Sequence, residues 1–386
     1  MRRSSFAPFV SVVLVLSALG ALGCSSSEDA TPGGPSPDGS NGNGNGNGSG
    51  NGNGSGNGAC VSSDFAPTPV ESDDVLVDVA AGRDATWLLL KGKDGVLAVH
   101  EVGGTRRVLE ATGTTNAAIS ARPDGGACVV WGVGGRDDAT VKTACSPSFD
   151  AKDTGIKLAM ATTYPVAFRD EGDQGAAVLF AEGNALDGLS RDGRDAWSDA
   201  NVMESSISFA GGPRALSGAS TGSALCFVSQ GKIVVERWGL SGSANSIGTI
   251  ATESKRTFHE DVGCGVAEID GSVGVFAVGG GKARFAVRSA EFGAQLAETP
   301  LDAESITSWA FGATSTHLVA AYATEGNLFR ARLGLAGGAA EVTPVELPAG
   351  AKVTGKVALA HAPAGSEILA AATESNVLVA KTCAAR

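Results

Sequence analysis

Acidic side chains recur just before several predicted strands, and one histidine lies beside them. These residues are Asp73, Asp74, Glu204, His259, Glu260, Asp261 and Glu304. If the strands that follow them surround a channel, the carboxylates would line one mouth of it and focus negative potential there. Carboxylate oxygens suit Ca²⁺, so one hypothesis is an acidic mouth that binds a cation or a basic ligand. The competing interpretation, which we favour, is solvated loop charge, with no cofactor.

The cysteines are the second group of residues that could do chemistry. Cys128 and Cys145 flank a predicted turn at 135–138 symmetrically, so a hairpin would place them opposite each other within disulfide reach. Two more cysteines stand at opposite ends of the folded body, where a bond between them would lock its closure. The strand layout therefore favours the pairs Cys60–Cys383, Cys128–Cys145 and Cys226–Cys264. Buried free thiols are the alternative.

Catalytic signatures are not found in the sequence. None of the four histidines stands in a Gly-x-Ser-x-Gly or His-Glu-x-x-His context. No Cys-x-x-Cys or Cys/His spacing indicates zinc. Members of a catalytic triad meet only in space, so sequence order does not exclude one. We expect a protein that is not an enzyme.

The amino-terminal residues have the pattern of an export signal. Arg2 and Arg3 precede an apolar run at 9–22, which ends in Gly-Ala-Leu-Gly before Cys24. This ending resembles the lipobox of bacterial lipoproteins, although Ala21 stands where that family usually has Leu. The resemblance implies cleavage before Cys24 and lipidation of that cysteine. Ordinary signal cleavage is the alternative. Residues 1–23 are therefore interpreted as a signal peptide.

Residues 24–59 form the next segment and consist mainly of Ser, Gly and Asn. Such a segment has no apolar surface to bury, so we predict a disordered tether. Ser25, which follows the lipidated cysteine, is typical of routing to the outer membrane in the lipoproteins that the signal resembles. The formal net charge of −12 argues against nucleic acid as a partner, because phosphate contacts need clustered Lys and Arg.

Residues 60–386 are predicted to fold as an all-β body. Between 264 and 289, three alternating apolar segments are separated by Asp-Gly and Gly-Gly turns, which predicts an antiparallel meander. Similar units recur about every 40–50 residues, a period typical of a β-propeller. The third and fourth units are the least regular, and their first strands are predicted at 158–163 and 206–212. We predict seven blades; six or eight, or paired β-sandwiches, are alternatives.

The last unit has only three predicted strands, and the segment at 61–70 has no other place. We therefore predict that the amino-terminal strand completes the last sheet and closes the propeller.

These patterns predict a monomeric, lipid-anchored protein of the outer membrane, facing either the periplasm or the outside. We interpret the body as a non-enzymatic binding or scaffold module whose ligand is an unknown protein or glycan. One alternative is a carboxylate-dependent glycan hydrolase or lyase acting at the channel mouth. Another is a partner in outer-membrane protein assembly. Fold alone does not decide among them.

Overall fold

The structure is a computed structural model, and β-strands make up nearly all the regular structure that it describes. The described residues are 65–134, 139–158, 164–170, 172, 175–182, 185–191, 197–204, 215–219, 222–229, 232–238, 244–251, 263–269, 272–279, 282–289, 295–362 and 366–383. Within them the only helical segment is a 3₁₀ turn, Lys93–Gly95. No helix in this part of the chain is long and apolar enough to cross a bilayer. The predicted signal peptide, the tether, Cys24 and Cys60 lie outside the described residues.

The described strands form seven four-stranded antiparallel sheets. Sheet 1 contains β2 (Val75–Ala81), β3 (Thr86–Lys91), β4 (Leu97–Glu101) and β5 (Arg106–Glu110). Sheet 2 contains β6 (Thr114–Ala121), β7 (Ala127–Val133), β8 (Ala139–Cys145) and β9 (Lys152–Leu158). Sheet 3 contains β10 (Tyr164–Asp170), β11 (Ala176–Glu182), β12 (Ala185–Arg191) and β13 (Trp197–Glu204). Sheet 4 contains β14 (Ala215–Ala219), β15 (Gly222–Ser229), β16 (Lys232–Trp238) and β17 (Ala244–Ala251).

The remaining sheets follow the same order along the chain. Sheet 5 contains β18 (Gly263–Ile269), β19 (Ser272–Gly279), β20 (Lys282–Ser289) and β21 (Gln295–Leu301). Sheet 6 contains β22 (Ile306–Ala313), β23 (His317–Thr324), β24 (Asn327–Gly334) and β25 (Glu341–Val345). Sheet 7 contains β26 (Val357–His361), β27 (Ser366–Ala372), β28 (Asn376–Cys383) and, as its outer strand, β1 (Ala66–Pro69).

The first strand of each sheet contacts the first strand of the next, and β26 contacts β2. The sheets are therefore arranged radially, with their first strands innermost, as in a β-propeller. The strand at the amino terminus pairs antiparallel with β28, so that Ala66 lies opposite Val379. This places residues from the two ends of the body in one sheet, as the sequence predicted for the segment at 61–70.

Where side-chain burial is described, the core lies between neighbouring sheets, because central strands bury both of their faces. In β23, all six residues from Leu318 to Ala323 are buried. Phe276 and Phe285 of sheet 5 pack in one cluster with Leu318 of sheet 6. Trp87 of sheet 1 packs in another cluster with Trp131 of sheet 2. Stacking the sheets thus buries apolar area that no single sheet could shield alone.

The prediction of strands in the third and fourth units was partly wrong. Leu158 ends the outer strand of sheet 2 and does not begin sheet 3, whose first strand is β10. The outer strand of sheet 3 is β13, which begins at Trp197; the sequence, WSDANVME, alternates weakly and was not assigned to the third unit. The strand predicted at 206–212 lies outside the described residues.

Two junctions between sheets contain buried ion pairs. The side chain of Glu367 in sheet 7 is only 1% exposed and pairs with Arg330 and Arg332 of sheet 6, the latter at 3.0 Å. Asp170 of sheet 3 is equally buried and lies 3.2 Å from Arg191 and 3.5 Å from Arg122, which follows β6 of sheet 2. These carboxylates tie neighbouring sheets together.

Candidate functional site

A cleft of about 490 Å³ opens between sheets 1 and 2. Strands, turns and loops of both sheets form it, and the residues that line it are Asp84, Ala85, Trp87, Val99, Glu101, Thr105, Arg107, Asp124, Gly125, Gly126, Ser146, Pro147 and Phe149. Sheet 1 therefore contributes its β2–β3 and β4–β5 turns, while sheet 2 contributes its β6–β7 turn and the segment after β8. This volume is in the range of small-molecule sites.

Two glycines allow the turns at the cleft to touch. A Cβ atom at Gly82 would lie 2.1 Å from the carbonyl oxygen of Gly125, so any larger residue would push the β2–β3 and β6–β7 turns apart. Gly125 itself has a φ of 92°, which L side chains rarely adopt. The close approach of the two turns thus depends on residues without a side chain.

The floor of the cleft is apolar and comes from both sheets. Trp87 is 6% exposed, Phe149 is 7% exposed, and their rings meet edge to face at 6.4 Å. Val99 lies beside them in the same core cluster. Phe149 has a φ of 53°, which is uncommon for a bulky residue, and its N–H donates to the carbonyl of Cys145 at 2.8 Å. The floor is therefore held by packing and by the end of β8.

The rim of the cleft is charged, and its charges are unevenly paired. Asp124 lies 3.2 Å from Arg122 and accepts the N–H of Gly126 at 2.9 Å. Arg107 donates through Nη1 to the carbonyl of Ser148 at 2.9 Å. Asp84 and Glu101 are exposed, and neither has a side-chain partner among the residues that the structure describes. Two carboxylates and most of a guanidinium therefore remain open to a ligand.

A disulfide stands behind the cleft. Cys128 and Cys145 lie opposite each other on β7 and β8 and are bonded, with Cα atoms 4.1 Å apart, which confirms the predicted pair. Just after Cys145, the Oγ of Ser146 accepts the N–H of Ala127 at 3.0 Å. The bond and this contact fix the chain where it enters the cleft.

The other predicted pairs are only partly covered by the described residues. Cys264 is disulfide-bonded, and its strand β18 contacts β15, which carries Cys226. The Cys226–Cys264 pair stays a prediction, because the side chain of Cys226 is not described. Cys383 ends β28 next to β1, which follows Cys60 in sequence. That pair also stays a prediction.

The acidic mouth predicted from sequence is not assembled by the residues that the structure describes. Asp74 is a structural residue: its side chain is 1% exposed, and Arg106 donates to both of its oxygens at 3.0 Å. Asp73 and Glu304 are exposed. Glu204 ends β13, the outer strand of sheet 3, and its predicted place at the channel mouth stays a prediction. His259, Glu260 and Asp261 lie outside the described residues.

One group of side chains of the types that bind metals lies close together among the described residues. The one group found is Cys128, Cys145 and Asp170, whose ligand atoms lie within 4.8 Å of one another. The two sulfur atoms are bonded to each other, so this group offers a single carboxylate and is not a metal site. No cluster of oxygen ligands among the described residues supports the Ca²⁺ hypothesis, which stays a prediction.

One buried histidine, His100, and one partly buried histidine, His361, lie outside the cleft. Burial lowers the pKa of His361, an effect that Glu367 opposes and Arg330 reinforces. Burial also lowers the pKa of His100, with Arg106 adding to it and Asp74 opposing it. Neither His361 Nε2 nor His100 Nδ1 has a hydrogen-bond partner in the described structure. Both histidines therefore favour the neutral form more than a free histidine does.

Comparison with known proteins identifies the fold and no closer relationship. No protein-family model matches the sequence, and no curated protein shows significant similarity to it. The WD40 domain of coronin from Toxoplasma gondii has a TM-score of 0.51 at 8% identity, over 84% of this chain and 88% of that one. With the radial sheets described above, this likeness decides the architecture. The body is a β-propeller.

Two further solved propellers are more distant. The SapL1 lectin, solved in complex with alpha methyl fucoside, has a TM-score of 0.47 at 13% identity and covers 73% of this chain and 98% of its own. TolB from Acinetobacter baumannii has a TM-score of 0.39 at 14% identity and covers 60% of this chain and 55% of its own. At these identities the likeness concerns the fold alone. The predicted all-β propeller is confirmed.

The cleft was missed by sequence reasoning. Its residues come from turns and strand ends between 84 and 149, and no short motif joins them. The one available signal was the pair of glycine-containing turns at 82 and 125, which the sequence shows only as ordinary turn residues.

Proposed function

We propose that this protein is a lipid-anchored binding or scaffold module of the cell envelope, at the outer membrane, and not an enzyme. In this proposal Cys24 carries the lipid, residues 24–59 form a flexible tether, and the propeller presents a ligand-binding cleft between sheets 1 and 2. The lipobox-like ending before Cys24 supports the anchor, and the composition of the tether supports its flexibility.

The observation that supports the binding role is the cleft, two of whose rim carboxylates have no described partner. Elsewhere in the described structure, buried carboxylates such as Asp74, Asp170 and Glu367 pair with arginines. Asp84 and Glu101 instead face a cavity with an apolar floor. A concave apolar surface with a few convergent polar groups is the usual form of a binding site.

The anchor is tested by metabolic labelling with radioactive palmitate. We expect label and membrane association in the wild-type protein, with loss of both in a Cys24→Ala variant. Labelling that persists in the variant, or its absence from both, would contradict the anchor. This result leaves the binding role to a separate experiment.

Binding is tested by photo-crosslinking in intact cells. A photoreactive phenylalanine derivative placed at Thr105 lies at the cleft, whereas one placed at Glu346 lies on an exposed segment after sheet 6. We expect a discrete adduct from position 105 and none from position 346. Equal adducts at both positions, or none at either, would argue against a binding role for this cleft.

A further inference from the structure

The rim of the cleft between sheets 1 and 2 offers hydrogen-bond acceptors and donors side by side. We propose that it binds a neutral saccharide unit, an inference that rests on the proposed binding function and names its ligand class. Three properties of the cleft favour such a ligand: the kinds of polar group at its rim, their net charge, and the apolar character of its floor.

The polar groups at the rim suit hydroxyl groups. Asp84 and Glu101 are acceptors without described partners, and Arg107 commits one N–H to Ser148 and keeps its others. The hydroxyl of Thr105 lines the same space. A sugar hydroxyl both donates and accepts, so one ring can donate to a carboxylate and accept from the guanidinium at the same time. Hydrogen bonds to charged groups are the stronger kind.

The charges at the rim disfavour a strongly charged ligand. Asp124 is already paired with Arg122, which leaves Asp84 and Glu101 against Arg107. A phosphate or sulfate group would face two unpaired carboxylates, and like charges brought together at an interface are costly. A ligand with clustered positive charges would face the guanidinium of Arg107. A neutral polyhydroxyl ligand meets neither repulsion.

The floor of the cleft suits the C–H faces of a sugar. Trp87 and Phe149 line the cleft and keep 6% and 7% of their surface exposed, so the apolar atoms that they offer below the polar rim are the edges of two aromatic rings. A pyranose ring has the same division, because its hydroxyls point outward from a face made of C–H groups. The volume of about 490 Å³ exceeds what a single ion needs and lies within the range of small-molecule sites.

The test uses full-length protein in detergent and an array of neutral, acidic and amino mono- and disaccharides, with free amino acids as a further set of probes. Two variants change the cleft: Glu101→Gln and Arg107→Ala. Glu346→Gln is the matched control, because that carboxylate is exposed and lies away from the cleft.

We expect a neutral saccharide to bind the wild-type protein and the control equally. Its Kd should rise about tenfold or more in each cleft variant, since one bond to a charged group is lost. Unchanged melting temperatures would show that the variants are folded.

Three results would overturn the saccharide assignment. Saccharide binding that the cleft variants leave unchanged would move the ligand elsewhere on the propeller and preserve the proposed binding function. Cleft-dependent binding of amino acids or of charged sugars alone would preserve the site and replace its ligand class. No binding by any saccharide, together with a crosslinked adduct at position 105, would show that the cleft serves a different partner.

Discussion

The junction between sheets 6 and 7 and the junction between sheets 1 and 2 use charged residues in opposite ways. At the first, Glu367 is buried and pairs with Arg330 and Arg332, so three charged groups close the space between the sheets. At the second, Asp84 and Glu101 have no described partners and surround an open cleft. Sheets 1 and 2 are also joined by an ion pair, Lys142 with Glu110 at 2.7 Å, so the contrast concerns the cleft and not the whole junction.

This difference separates structure from function within one fold. A buried charge is tolerated only when it is paired, so removing one partner damages the scaffold. An exposed, unpaired carboxylate at a cavity contributes little to stability and can be lost without harm to the fold. We therefore expect the same kind of substitution to change the free energy of unfolding differently at the two junctions.

The largest effect is expected at the sealed junction. Glu367→Gln leaves Arg330 and Arg332 without their shared carboxylate, and we expect the free energy of unfolding to fall by about 3–5 kcal/mol. Urea denaturation followed by tryptophan fluorescence measures this change. Glu346→Gln is the control and should change stability by less than about 0.5 kcal/mol. A Glu367→Gln variant as stable as this control would contradict a structural role for the cluster.

The disulfide near the open junction should have the next largest effect. Replacing Cys128 and Cys145 together by alanine removes a bond between residues 17 apart in sequence, and we expect a loss of about 2–4 kcal/mol. The wild-type protein in reducing agent should lose at least as much, as measured by its melting temperature, because the bond of Cys264 is opened as well. If the double variant matches the oxidised wild type, the bond does not hold β7 to β8.

A glycine at the junction of sheets 5 and 6 tests how tightly two sheets pack where no charged residue is involved. A Cβ at Gly265 would lie 2.6 Å from the Cβ of Phe311 on the neighbouring inner strand. We expect Gly265→Ala to cost about 1–3 kcal/mol in urea denaturation. Gly334→Ala is the matched control in β24, where a Cβ would meet nothing within 4 Å. Equal effects of the two substitutions would show that this contact is not tight.

The smallest effect is expected in the pH dependence of stability at the sealed junction. Burial lowers the pKa of His361 in the folded protein, so near pH 6 the unfolded chain binds more protons there. Its contribution is therefore present above the unfolded value of about 6.5 and is lost as pH falls through the folded pKa. The His361→Gln variant should show a shallower fall of melting temperature between pH 7 and pH 5. If the melting temperatures of the variant and the wild type fall equally between pH 7 and pH 5, His361 does not contribute to the pH dependence of stability.

The sequence predicted well what depends on local pattern. Cys128 and Cys145 stand symmetrically about a turn, and residues 61–70 were the only segment left to complete the last sheet; β1 occupies that position. The propeller itself followed from repeated apolar alternation. Each of these features is set by neighbours in sequence or by the repeat period.

The sequence predicted poorly what depends on three-dimensional partners. Asp74 was interpreted as part of an acidic mouth, but Arg106 lies 32 residues away and pairs with it in the same sheet. The cleft draws on both sheets 1 and 2, and no spacing rule connects Asp84 with Phe149. The start of sheet 3 was misplaced at Leu158, because that residue ends β9, which pairs in sheet 2. Whether a carboxylate is paired or open is decided only by what packs beside it.

The most direct test is the free energy of unfolding of the Asp84→Asn/Glu101→Gln double variant. If these carboxylates serve a ligand and not the fold, stability in urea should stay within about 0.5 kcal/mol of wild type. A loss of more than about 1.5 kcal/mol would show that they belong to the scaffold, as Glu367 does, and would contradict the assignment of this cleft as a binding site.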